Sequence, residues 1–88
     1  MCTMIAQQIK ITGSGKAGAD WVGVDTASVS YDHPFDMPLE YALNLDFTNR
    51  AGGRVAVELD AESARRLVET IEEVMRRAEE GEFTPQES

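Results

Sequence analysis

The sequence predicts an α+β fold: a four-stranded, mainly antiparallel sheet followed by one C-terminal amphipathic helix packed on one face. Three observations carry this expectation. Apolar residues alternate with period two in several segments ahead of Asp60. The stretch Asn49-Arg50-Ala51-Gly52-Gly53 has the length and composition of a hairpin loop. After Asp60 the apolar spacing changes to a helical period.

The first strand is expected from Ile5 to Thr12, with Ile5, Ile9 and Ile11 on one side and Ala6, Gln8 and Lys10 on the other. Gly13 to Asp20 has the composition of a flexible connector. Trp21 to Tyr31 is a second extended run, with Val29 and Tyr31 sharing a face. Ala42 to Thr48 places Leu43, Leu45 and Phe47 together, and Arg54 to Leu59 does the same for Val55, Val57 and Leu59. Asp60 suits a helix N-cap, and Glu62 suits the positive end of the helix dipole. Ala64, Leu67, Val68, Ile71, Val74, Met75 and Ala78 then form one apolar stripe. Four Glu/Arg pairs, 62/66, 69/65, 72/76 and 73/77, are spaced for contact on the outer face, and Gly81 suits the stop.

With 88 residues and 42% apolar content, the chain is expected to form a single globular domain over residues 1–82, with 83–88 as a flexible tail. The protein is acidic, with a net charge of −8. That argues against nucleic acid and against an anionic membrane surface. No apolar run approaches the roughly 20 residues of a spanning helix. The opening residues lack the basic and apolar regions of a signal peptide, so a cytoplasmic location is expected. A lone cysteine, Cys2, permits no internal disulfide.

Sheet width leaves apolar surface that one helix does not cover. Four strands about 4.8 Å apart are wider than one helix of about 10 Å diameter. The uncovered apolar surface must then be closed by Phe35, Met37 and Leu39 or by a second subunit. The opposite face would carry Ala6, Gln8, Thr26, Ser28, Asn44, Asp46, Ala56 and Glu58, small and only partly charged, which suits sheet-to-sheet or edge pairing between subunits. A homo-oligomer, most simply a dimer, is expected.

The densest chemistry lies in Ser30 to Tyr41, which holds the only histidine, both tyrosines and two of the three prolines. His33 is the one side chain that ordinarily titrates near neutrality. Asp32 and Asp36 stand close enough in sequence to orient it for proton transfer. Cys2 could supply a thiol if it lies near His33, so Cys2, Asp32 and His33 are the catalytic candidates. Trp21, Tyr31, Phe35, Asp36, Glu40 and Tyr41 are candidates to line a ligand site. The prolines break any shared spacing of Asp32, His33, Asp36 and Glu40, and no zinc-type spacing exists, so no metal site is expected. No cofactor is expected either. Gly13-Ser14-Gly15-Lys16-Ala17-Gly18 matches a dinucleotide fingerprint but is not followed by a helix.

The Met1-Cys2-Thr3 start, the Gly13–Gly15 connector, the Val29-Ser30-Tyr31-Asp32-His33-Pro34 run and the Arg54–Leu59 strand resemble a family of small uncharacterised, mostly actinobacterial proteins. The resemblance covers most of the chain and groups Cys2, Asp32 and His33, but it implies no reaction. Two readings follow, and the sequence does not decide whether the protein is an enzyme. The first is a small oligomeric binding or accessory domain that recognises a small ligand or protein partner near Tyr31–Tyr41. The alternative is a small enzyme or metal-dependent catalyst using His33 with Asp32 or Asp36 and Cys2. A third, a structural subunit of a larger assembly, rests on the small residues of the polar sheet face.

Overall fold

In the computed structural model, which describes residues 5–81, the chain forms β1 (Ile5–Ala17), β2 (Asp20–Asp32), β3 (Ala42–Thr48), β4 (Arg54–Leu59) and α1 (Ala61–Glu79). The strands pair in chain order, every pair antiparallel. The α+β class and the element order are those the periodicities predict. Cys2 and the expected tail at 83–88 lie outside the described residues.

Register fixes the two faces. Val29 pairs with Leu45 and Leu45 with Val57, while the next rank holds Ser28, Asp46 and Ala56. Directly opposed residues share a face, so the first rank belongs to an apolar side and the second to a polar side. On the polar side Gln8 Nε2 donates to Ser28 Oγ at 3.1 Å, and Arg54 Nε donates to Asp46 Oδ1 at 2.6 Å.

The expected connector at Gly13–Asp20 is instead mostly strand. β1 runs on to Ala17, and the turn narrows to Gly18 and Ala19. Gly18 has φ +67 and, among the described residues, no non-glycine residue has positive φ, the pattern of a two-residue primed hairpin turn with positive φ at its first central position. The register steps from Lys10↔Thr26 to Gly13↔Val24, a bulge that sets Ile11 and Thr12 against Asp25. Buried Val24 and Ala27 are three residues apart, so the inward phase of β2 shifts beside the bulge. The long hairpin thereby curls over the sheet. A Cβ built on Gly15 would lie 3.0 Å from Val55 Cγ2, and Asn49 Nδ2 donates to the Gly23 carbonyl at 2.5 Å. The glycines that suggested flexibility are what allow this approach.

α1 begins and ends as its sequence dictates. Asp60 Oδ1 accepts the Ser63 N–H at 2.7 Å, Arg76 and Arg77 occupy the last turn, and Gly81 has φ +81. Glu62 pairs with Arg66 as spaced, whereas Arg76 pairs with Glu73 and Glu80 rather than Glu72. These exposed pairs contribute little stability.

The interior is small. Among the described residues, the buried apolar side chains are Val24, Ala27 and Ala42, and no large side chain is fully buried. α1 approaches the sheet chiefly over β3. Beside it lies an apolar cleft of about 550 Å³, with Ile9, Val29 and Leu45 on the sheet side and Leu67, Val68 and Ile71 on the helix side. The helix does not cover the sheet, as the width argument requires. Phe35, Met37 and Leu39 do not line that cleft either, and Phe35 is 94% exposed. The expected lid is absent because its backbone is held on the opposite face, by Glu58.

Candidate functional site: a clamped aromatic loop

The segment between β2 and β3 contains Pro34 and Pro38, so its backbone cannot continue either a helix or a central strand. Its amide groups therefore need other acceptors. Glu58, on the polar face of β4, supplies them. Its carboxylate accepts the N–H of Phe35 at 2.5 Å, of Asp36 at 3.0 Å and of Met37 at 3.2 Å. The Phe35 bond first, then those of Asp36 and Met37, hold the Glu58 carboxyl below the ordinary glutamate range. Leu39 N–H donates to Met37 O at 2.8 Å, closing a three-residue turn around Pro38.

The ends of the loop are joined by rings. Tyr31 and Tyr41 stack with centroids 5.7 Å apart and planes 18° apart. His33 stacks on Tyr41 at 4.8 Å and 23°. His33 Nδ1 lies 2.8 Å from the Glu40 carbonyl, which can only accept, so Nδ1 carries a hydrogen. In the neutral ring Nε2 is left as the acceptor. Asp32 Oδ1 accepts the backbone N–H of His33 at 2.7 Å. Asp32 thus braces the main chain and takes no part in the Nδ1 contact.

The structure gathers Tyr31, Asp32, His33 and Tyr41 at the mouth of the loop. Asp36 contributes its amide and Glu40 its carbonyl, while Phe35 is displayed outward. Trp21 stands apart at the far end of β2, ten residues from Tyr31 and roughly 33 Å along an extended strand. It pairs across the hairpin with Lys16, whose Nζ lies 5.9 Å from the Trp21 ring centroid. Cys2 lies outside the described residues, and its distance to His33 is therefore not part of the site's geometry. Among the described residues no group of three or more His, Cys, Asp or Glu side chains is arranged to hold a metal ion.

Beneath the loop is a second hollow of about 140 Å³, lined by Asp32, His33, Asn44, Asp46, Arg54 and Glu58 among others. Asn44 Nδ2 donates to the carbonyls of Asp32 and Ala42 at 3.5 and 3.3 Å, and its buried Oδ1 has no hydrogen-bond partner.

Sequence reasoning placed Glu58 on the polar face but missed its role. The available signal was a carboxylate in mid-strand among small residues, opposite a Pro-bounded loop whose amides lacked acceptors. The apolar cleft was legible only as an excess of sheet over helix.

The architecture defines a class: a four-stranded antiparallel meander with one C-terminal helix and an aromatic loop clamped to the face away from that helix. The chain belongs to a family of unknown function, DUF6295, whose match spans residues 1–84. Comparison with curated proteins and with solved structures finds no match. No helix among the described residues is long and apolar enough to cross a membrane.

Proposed function

We propose that the protein is a small homo-oligomeric accessory domain that recognises a partner through the clamped loop, with Phe35 as its anchor. The observation that supports this most is the combination of Phe35 at 94% exposure with a three-amide clamp on Glu58 at its root. A fully exposed phenylalanine on a slack loop would be unremarkable surface. Held on a fixed backbone at the rim of the hollow it shares with Asp32 and His33, it is a preorganised contact that loses little conformational entropy on binding. The carboxylates of Asp32, Asp36 and Glu40 in the same segment favour a partner surface that is neutral or cationic.

A photo-crosslinking residue at position 35 tests the reading in cells. One discrete adduct is expected, lost when Glu58→Ala releases the loop and absent when the same residue replaces Trp21. Adducts of equal yield from positions 35 and 21 would sink the proposal.

A further inference from the structure

We infer that the apolar cleft is closed by a second copy of this chain, with the two α1 helices antiparallel about a two-fold axis at Ile71. This rests on the homo-oligomer reading above and adds the surface, the orientation and the axis. The C-terminal half of each helix then fills the cleft of the other copy.

The stripe on α1 has an internal symmetry. Ala64, Leu67, Val68, Ile71, Val74, Met75 and Ala78 stand at −7, −4, −3, 0, +3, +4 and +7 from Ile71. At about 100° per residue they fill an arc of roughly 120°, and Ile71 lies at its centre around the helix as well as along it. An antiparallel copy turned about Ile71 sets Leu67 against the second copy's Met75 and Val68 against its Val74, while Ile71 meets itself. A two-fold interface requires such reciprocal pairs.

The exposure pattern points to the same place. Leu67, Val68 and Ile71 face the cleft, yet they are 43%, 54% and 52% exposed. Val74 and Met75, one turn further on, do not line it and are 58% and 50% exposed. With Ile5 and Ile9 at 64% and 54%, the bare apolar area is on the order of several hundred Å². That is at the upper end for any patch on a typical monomer and close to the ~800 Å² each partner hides in a standard interface. Without a partner no large side chain among the described residues is fully buried. A second copy supplies what the cleft lacks: Val74 and Met75, which do not line the cleft of their own chain.

The test compares two single-cysteine variants in a Cys2→Ser background, Ile71→Cys on the stripe and Glu73→Cys on the outer face. Under mild oxidation with oxidised glutathione, I71C is expected to give a disulfide-linked dimer at least ~10-fold faster than E73C. Ile71→Cys keeps an apolar side chain of modest size, and matching circular dichroism spectra confirm that both variants fold. Equal rates in a protein that sediments as a dimer overturn the axis at Ile71 and leave the homo-oligomer reading standing. Sedimentation of wild type as a monomer overturns both.

Discussion

Glu58 accepts the Phe35 amide at 2.5 Å across 23 positions of sequence, and together with the Asp36 and Met37 amides it holds the loop on the polar face of the sheet. Removing the carboxylate while keeping the length, by Glu58→Gln, leaves one acceptor oxygen for three amides. Hydrogen exchange is expected to speed by about tenfold or more at the amides of 35–37, in line with the loss of charge-assisted bonds. The exchange of β2 and β3 should hardly change. Unchanged protection at 35–37 would mean that the loop is held by something else.

The same clamp sets a pH response. The Phe35, Asp36 and Met37 bonds lower the folded-state value of Glu58. A group lowered on folding contributes its stability above its ordinary value, and that contribution is lost as pH falls through the lowered one. Asp60 acts in the same direction, lowered chiefly by the Ser63 backbone bond. Loop protection is therefore expected to hold at neutral pH and to fade only below the ordinary carboxylate range. Loss of loop order between pH 6 and pH 8 would contradict the clamp.

The contact to the Glu40 carbonyl fixes the tautomer of His33. Nitrogen NMR of the neutral ring is expected to show Nδ1 protonated and Nε2 bare, the less common form in free imidazole side chains. Tyr41→Ala removes the stacked ring at 4.8 Å and should release that preference. A wild-type ring with its proton on Nε2 would contradict the geometry.

Gly15 and Gly18 should respond differently to alanine. At Gly15 the new Cβ meets Val55 Cγ2 at 3.0 Å, a packing conflict worth about 1–3 kcal/mol unless the hairpin lifts. At Gly18 nothing lies within 4 Å, but φ is +67, so alanine should cost about 1–2 kcal/mol through backbone strain alone. The double variant Gly15→Ala/Val55→Ala is expected to recover the packing part at position 15. Gly18→Ala should gain nothing from Val55→Ala. Urea unfolding of the four variants separates the two causes.

These glycines also mark where sequence reasoning reached its limit. β3, β4 and α1 were legible because each has a clear period and a bounded end: Leu43, Leu45 and Phe47 alternate, Val55, Val57 and Leu59 alternate, and Asp60 and Gly81 stop the helix at either side. Gly13 to Ala17 carries no period, since a glycine facing Val55 leaves no apolar mark. Its strand character comes from tertiary contact, which local composition does not encode. At the site, Tyr31, Asp32, His33 and Tyr41 were chosen because they are dense in sequence, and they do converge. Trp21 was grouped with them by residue type, although strand length alone separates it. Phe35 was assigned to the apolar face because its side chain is apolar, whereas its position is set by its own amide on Glu58.

The central claim is that this chain does not close its apolar cleft alone. Sedimentation equilibrium at micromolar concentration tests it most directly, comparing wild type with Ile71→Asp. The account predicts a wild-type mass near twice the 9.7 kDa of one chain and a shift to the single-chain mass in I71D. A wild type that stays at 9.7 kDa through high micromolar concentration, with Leu67, Ile71 and Met75 still open to solvent, would contradict it.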